Sequence, residues 1–175
     1  MKMLSLPRLR QTYNYDCGVK AFQAVLVYYG IEVREDILIK QTKTSKQGTS
    51  PEDVIRVAKD YGLKVIYGEM SISEIKKYID KKIPVILSLQ AWTDKKNPDW
   101  RKNWKDGHYA VAIGYTKDRV FFEDPSSFNP TYLNYDELEK RWHDVDKNGK
   151  KYFHYGIALF GKKPTFKKDK IIHMD

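Results

Sequence analysis

The sequence predicts an α+β fold in which a helical layer comes first and an antiparallel sheet second. In the first half of the chain, apolar residues recur at helical spacing, whereas the second half holds short apolar runs separated by turn residues. The helical and the strand-like patterns do not alternate along the chain, as they would in a protein built from βαβ units. Since the chain has 175 residues and one domain usually takes about 100–200, we expect a single domain over residues 1–175.

The first predicted helix covers residues 17–29, where small and aromatic apolar side chains give a broad apolar face. Gly30 stands where a glycine just beyond the C-terminus would end this helix. We therefore expect a mostly buried helix that begins at or just before Cys17. A short second helix is predicted over residues 34–40.

Serine residues mark the start of two further predicted helices. Ser50 has the N-cap position, and Asp53 three residues later completes a pattern like a capping box. This helix is predicted to stop near Gly62. The next helix, through residue 79, can be capped by Ser71 or by Ser73.

The remaining chain is predicted to be mostly β. A polar loop over residues 92–106 carries three tryptophans, and the segment 116–119 is typical of a tight turn between two strands. Beyond this hairpin we expect one more helix and one more strand, followed by a basic tail. The predicted strands cover residues 63–66, 84–89, 108–115, 120–123 and 152–160, and the helix covers residues 135–142.

Composition narrows the classes of function. The net charge is +9, but the basic residues are spread along the chain and are mostly Lys, which favours a solvated surface over nucleic-acid binding. The chain contains no apolar run of the about 18 residues that a membrane helix needs, and no signal peptide is recognisable, so we expect a cytoplasmic protein. A single Cys rules out an internal disulfide and a Cys-cluster zinc site, and we expect neither a metal nor an organic cofactor.

Cys17 is the first candidate for chemistry. A free Cys is often an inert buried thiol. Cys17, however, lies at the predicted N-terminus of an apolar helix, where unpaired N–H groups and the positive end of the helix dipole favour the thiolate. We expect Gly18 beside it to leave space for an approaching substrate.

A thiolate nucleophile needs a base, and the base needs an acceptor that orients it. Of the four His residues, His108 opens an apolar strand at the edge of the sheet, where its side chain can face a cleft. Asp124 ends the partner strand of the same hairpin, so its carboxylate can accept the imidazole N–H. The alternatives are an ordinary strand-end His and a strand-terminating Asp-Pro turn.

Gln11 lies six positions before Cys17 on the incoming loop. Its amide N–H2 and the backbone N–H of Cys17 could together hold the oxyanion of an attacked carbonyl. The alternative is a surface glutamine without a function.

These residues stand in three short motifs: QTYNYDCG over residues 11–18, GHYAV over 107–111 and EDPS over 123–126. In this order and spacing, the motifs resemble those of the bacteriocin-processing peptidases. These are papain-like cysteine peptidase domains, usually attached to peptide-exporting ABC transporters, and stand-alone members also occur. The resemblance covers about residues 8–127 and leaves residues 128–175 as an additional helix, strand and tail.

The resemblance implies a papain-like fold with Cys17 as nucleophile, His108 as general base, Asp124 as its orienting residue and Gln11 in the oxyanion hole. It also implies a peptide substrate, in the transporter-attached members a leader peptide cut after a pair of small residues. Two alternatives keep the same cleft: an acyltransferase or transpeptidase that changes the acceptor of the thioester, and a non-catalytic peptide-binding module. The sequence does not predict the oligomeric state.

Overall fold

The computed structural model describes residues 1–175 and contains five α-helices, eight strands and one 3-10 turn over Trp100–Lys102. The helices are α1 (Cys17–Tyr28), α2 (Glu35–Gln41), α3 (Pro51–Asp60), α4 (Ile72–Asp80) and α5 (Tyr135–Arg141). The strands are β1 (Lys64–Glu69), β2 (Val85–Gln90), β3 (Gly107–Tyr115), β4 (Arg119–Glu123), β5 (Thr131–Asn134), β6 (His143–Val145), β7 (Lys151–Phe153) and β8 (Tyr155–Phe160).

Six strands form one sheet in the order β1-β8-β2-β3-β4-β5, and every neighbouring pair is antiparallel. The central pair, β2 and β3, sets His108 opposite Leu89 and Tyr109 opposite Ser88. β6 and β7 form a separate two-stranded hairpin. The predicted antiparallel sheet is present, and its β3–β4 turn closes with the N–H of Thr116 on the carbonyl oxygen of Arg119 at 2.9 Å.

The sheet is covered on both faces, because successive strand residues point to opposite sides. Val111 and Ile113 of β3 belong to the core beneath α1, α2 and α3. Ala110 and Ala112 belong to a second core, beneath α4 and α5. The sequence predicted one helical layer and also the helices α4 and α5, but only the structure shows that these two cover the opposite face of the sheet.

α1 has eight buried residues among its 12, in line with the predicted buried helix. It ends as predicted at Gly30, whose φ of 79° lies in the left-handed region. The N–H groups of Gly30 and Ile31 bond the carbonyl oxygens of Val27 and Leu26 at 2.8 and 2.9 Å, which is a Schellman motif. With 12 residues α1 is too short to cross a bilayer, and none of the other helices has the length and apolarity to do so.

The two serine caps predicted from the sequence differ in outcome. Ser71 accepts a hydrogen bond from the N–H of Glu74, so the cap predicted at Ser71 or Ser73 is confirmed at Ser71. The carboxylate of Glu74 in turn accepts the N–H of Ser71, which makes a full capping box. Ser50 precedes α3 but makes no side-chain cap, and its hydroxyl is buried without a partner. The predicted box there is wrong because the carboxylate of Asp53 bonds Arg56 instead, at 2.8 Å.

The last third of the chain departs from the prediction in its short strands. The predicted strand over residues 152–160 is two strands, β7 and β8, separated at His154, which has a φ of 49°. β5 and β6 were not predicted. They have only four and three residues, too few for a period-two pattern to stand out.

Candidate active site

Three elements bring the candidate residues to one end of the sheet. Cys17 is the first residue of α1, His108 the second residue of β3, and Asp124 directly follows β4. Cys17 is partly buried and lines a surface cavity. Its place at the start of α1 exposes it to the positive end of the helix dipole, as the sequence predicted.

His108 and Asp124 are in direct contact. Nε2 of His108 lies 2.7 Å from Oδ1 of Asp124, and both side chains are almost fully buried. The Cys17 thiol lies close enough to the imidazole to raise the pKa of His108. Since Asp124 occupies Nε2, the nitrogen that serves Cys17 is Nδ1. Asp124, His108 and Cys17 therefore lie in series, with the imidazole hydrogen-bonded to the carboxylate and close to the thiol.

This arrangement favours a charged imidazole. Burial by itself would lower the pKa of His108, but the hydrogen bonds to Asp124 and Cys17 outweigh it and raise that pKa to about 10. Burial would raise the pKa of Asp124, yet the hydrogen bond and the charge of His108 hold it below its ordinary value. A carboxylate and an imidazolium thus stabilise each other beside the thiol.

Further donors fix the carboxylate of Asp124. Its Oδ2 accepts the indole N–H of Trp92 and the hydroxyl of Thr131, each at 3.1 Å, and its Oδ1 accepts the N–H of Ser126 at 2.8 Å. Trp92 has a φ of 61°, an uncommon conformation for a bulky residue. Sequence reasoning did not identify these contacts, because nothing in the spacing of Trp92 or Thr131 relates them to Asp124.

Gln11 is connected to the series through Ser126. Its Oε1 accepts the Ser126 hydroxyl at 3.0 Å, and its backbone N–H bonds the carbonyl oxygen of Pro125 at 3.0 Å. Its amide nitrogen donates to the carbonyl oxygen of Tyr13 at 2.7 Å, which leaves one amide hydrogen for another acceptor. The loop that carries Gln11 is therefore tied to the loop that carries Asp124.

Asp16 holds the loop between Gln11 and Cys17 in shape. Its fully buried carboxylate accepts the N–H groups of Thr12 at 2.9 Å and of Tyr13 at 3.0 Å. Burial and a hydrogen bond with Glu35 raise the pKa of Asp16 to about 6. Asp16 thus stabilises the loop that leads into α1.

Gly18 does not leave the open space that the sequence suggested. A Cβ atom there would lie 3.0 Å from the ring of Tyr109 and 3.1 Å from the side chain of Thr49. Both of these residues are buried, and the Tyr109 hydroxyl donates to the carbonyl oxygen of Thr49 at 2.7 Å. The glycine therefore allows α1 to approach the sheet closely, and it does not serve substrate access.

The other histidines have structural partners away from the thiol. Nε2 of His143 lies 2.7 Å from the carbonyl oxygen of Asn103, and His154 lies 3.1 Å from Glu139. His173 lies near the C-terminus and is exposed. No cluster of three or more His, Cys, Asp or Glu residues is arranged to hold a metal ion.

Two cavities lie beside the candidate residues. The first, about 240 Å³, lies on the Cys17 side and is called here the thiol-side cavity. Its lining includes Cys17, Thr49, Ser88, Trp104, Gly107, Tyr109 and Asp144. The second, about 280 Å³, includes Trp92, His108, Asp124 and Tyr132. Two tryptophans of the polar loop, Trp92 and Trp104, thus line cavities beside the candidate residues.

The sequence model of the peptidase C39 family matches residues 5–145, which is most of the chain. The chain belongs to the peptidase C39 family. This is a family of cysteine-type peptidases, and the match extends beyond the segment 8–127 that carried the resemblance. The predicted family, and with it the class of a cysteine-type hydrolase, is confirmed.

Known relatives of this C39 peptidase agree with that membership. The transport/processing ATP-binding protein ComA of Streptococcus pneumoniae is 26% identical over 138 residues, which are 77% of this chain. The chain spans only 17% of the length of ComA. The C39 peptidase thus matches one part of a much longer relative.

Solved structures show the same fold. A putative C39-like peptidase from Bacillus anthracis superposes with a TM-score of 0.69 at 19% identity, covering 93% of this chain and 98% of that one. A double glycine motif protease from an AMS/PCAT transporter, in complex with the leader peptide, gives 0.66 at 17% identity, covering 93% and 94%. The predicted papain-like α+β fold is confirmed for the C39 peptidase.

Proposed function

We propose that this C39 peptidase hydrolyses peptide bonds with Cys17 as the nucleophile, His108 as the acid and base, and Asp124 as the residue that orients His108. The observation that supports the proposal is the buried His108–Asp124 hydrogen bond of 2.7 Å, with the imidazole close to the Cys17 thiol at the start of α1. A thiolate beside an imidazolium is the reactive form of such a pair.

In the proposed reaction, the Cys17 thiolate attacks the carbonyl carbon of the scissile bond. The oxyanion that forms is held by the backbone N–H of Cys17 and by the free amide hydrogen of Gln11. His108 then donates its proton to the leaving amine, and a thioester remains on Cys17. A water molecule, deprotonated by His108, attacks the thioester and releases the acid, which restores the thiolate and the imidazolium.

The proposed substrate is a peptide or a protein segment, and a leader peptide is the first to test. The double glycine motif protease named above is in complex with the leader peptide, and its structure covers 93% of this chain. The thiol-side cavity opens beside Cys17, where a bound segment would meet the nucleophile.

The deciding experiment removes the thiol. We expect Cys17→Ala to lower peptidase activity by at least about 1,000-fold, as the loss of a nucleophile does in other triads. His108→Ala should abolish fast labelling of Cys17 by iodoacetamide. Peptide cleavage would be followed by mass spectrometry, with an added amine to reveal acyl transfer in place of hydrolysis. Full activity of Cys17→Ala would contradict the proposal.

A further inference from the structure

A carboxylate lies in the wall of the thiol-side cavity without a Lys or Arg partner. Asp144 belongs to β6 and is about nine-tenths buried. Its Oδ2 accepts the hydroxyl of Ser88 at 2.8 Å. Its Oδ1 accepts the amide of Gln90 at 3.0 Å and the N–H of Val145 at 2.8 Å.

All of these partners of Asp144 are neutral, and no Lys or Arg lies within salt-bridge distance of it. Oδ1 already has two donors, whereas Oδ2 has one and can accept another. Buried carboxylates are usually paired with a cation. Apart from the nearby charge of His108, which lowers the pKa of Asp144, this carboxylate presents a negative charge and a free acceptor position to the cavity.

The carboxylate of Asp144 packs directly against Gly107 in the wall of the cleft. A Cβ atom on Gly107 would lie 2.5 Å from Oδ1 of Asp144, so no other residue fits there without moving the carboxylate. Gly107 is exposed and lines the same cavity, directly before His108 in β3. Asp144 therefore contacts the residue that directly precedes the candidate base, His108.

The charges around Asp144 act in both directions, and the imidazolium of His108 offsets part of its negative charge. Burial raises the pKa of Asp144 to about 6, so the side chain is mostly ionised at neutral pH and above. Lys46 and Lys105 also line the cavity, but both are exposed and screened by water, as Asp144 is not. Asp146 lines the cavity as well and adds a second carboxylate.

We propose that Asp144 determines substrate specificity by binding a cationic nitrogen of the peptide, either a Lys or Arg side chain or the free N-terminal amine, next to the scissile bond. This inference rests on the proposed function, because it assigns a substrate class to the same cleft. The volume of the cavity is about 240 Å³, whereas pockets for drug-sized ligands have volumes of about 300–1,000 Å³. The cavity is therefore large enough for a single side chain.

The test uses matched alkylating peptides, so that it does not depend on turnover. Acetylated tripeptidyl chloromethyl ketones carry Lys or norleucine at one position at a time, and the Cys17 thiolate displaces chloride to form a thioether. At the preferred position, we expect the Lys reagent to label the wild type about tenfold faster than its norleucine partner. Reagents with a free N-terminus show whether the α-amine can take the same place.

Asp144→Asn keeps the shape of the side chain, and the Ser88 hydroxyl can accept the new amide N–H. Because the variant removes the negative charge, it should abolish the preference for the Lys reagent. Asp60→Asn removes one charge from an exposed position and should preserve that preference. In the wild type, but not in Asp144→Asn, the ratio of the Lys rate to the norleucine rate should fall from pH 8 to pH 5, because Asp144 is protonated over this range. The ratio cancels changes in the reactivity of Cys17 itself.

An equal rate for Lys and norleucine reagents at every position, with either N-terminus, would overturn the inference. So would a preference that survives in Asp144→Asn. Cation-selective labelling of a wild type that cleaves no peptide would instead refute the proposed hydrolysis and leave the recognition of the cation standing.

Discussion

At the scale of single residues, the candidate site depends on how many donors converge on one carboxylate. Asp124 meets His108 with one oxygen and Trp92 and Thr131 with the other. A carboxylate fixed in this way holds the imidazole in a single orientation, with Nδ1 toward Cys17. The orientation of His108 is thus set by side chains from the loop after β2 and from β5.

Trp92→Phe should weaken catalysis through Asp124, because the variant keeps an aromatic ring but loses the donor N–H. A hydrogen bond to a charged group contributes on the order of 1.5 kcal/mol, and water replaces part of it at this half-exposed ring, so we expect kcat/KM to fall by roughly three- to tenfold.

Trp100→Phe is the matched control for this experiment, since the ring of Trp100 lies under the guanidinium of Arg141 at 4.0 Å and is not bonded to Asp124. An equal loss in both variants, or no loss in Trp92→Phe, would show that the indole N–H does not position Asp124.

At the scale of elements, the ends of the helices show where local sequence and local structure agree. α1 and α4 begin or end as their own residues predict, through Gly30 and the Ser71–Glu74 box. α3 begins after Ser50 although the predicted cap does not form. Its start is set by Pro51 at the first turn and by packing of its buried face.

Ser71→Ala and Ser50→Ala therefore form a matched pair. Ser71→Ala removes a cap and should lower the free energy of unfolding by about 1 kcal/mol. Ser50→Ala removes a buried hydroxyl that has no partner, so stability should stay the same or rise slightly. Urea denaturation measures both, as a shift of the midpoint at constant slope. A similar loss in the two variants would mean that Ser50 has a partner in solution.

At the scale of the whole molecule, the sheet brings together residues that are far apart in the chain. α1 supplies the thiol from one face, and the β3–β4 hairpin supplies the imidazole and the carboxylate from the end of the sheet. The close packing of the two leaves several acids in the interior. Glu123 is one of them, with an Oε1 that has no hydrogen-bond partner.

Glu123 should make stability depend on pH. Burial raises the pKa of its carboxyl to about 7, although Arg8 lies close enough to oppose the shift. Between about pH 4.5 and pH 7, the unfolded chain has released this proton and the folded protein has not, so stability falls as the pH rises. Glu123→Gln should be equal to the wild type near pH 4.5 and more stable by on the order of 1 kcal/mol above pH 7.

Thermal unfolding at several pH values checks this, with Glu32→Gln as the control because Glu32 is exposed. The pH-dependent difference should occur in Glu123→Gln alone. A constant difference across the whole pH range would show that Glu123 is already ionised in the folded protein.

The sequence alone determined the fold class, the family and the candidate residues Cys17, His108, Asp124 and Gln11, since short motifs and periodic apolar residues are local features of the chain. It did not reveal that Trp92 and Thr131 bond Asp124, nor that Asp144 lies behind Gly107, because these contacts join segments that no periodicity relates. Gly18 was misread for the same reason, since only the packed structure shows Tyr109 and Thr49 against it. The surroundings of the thiol, and with them the charge that we propose to select the substrate, were decided by tertiary packing.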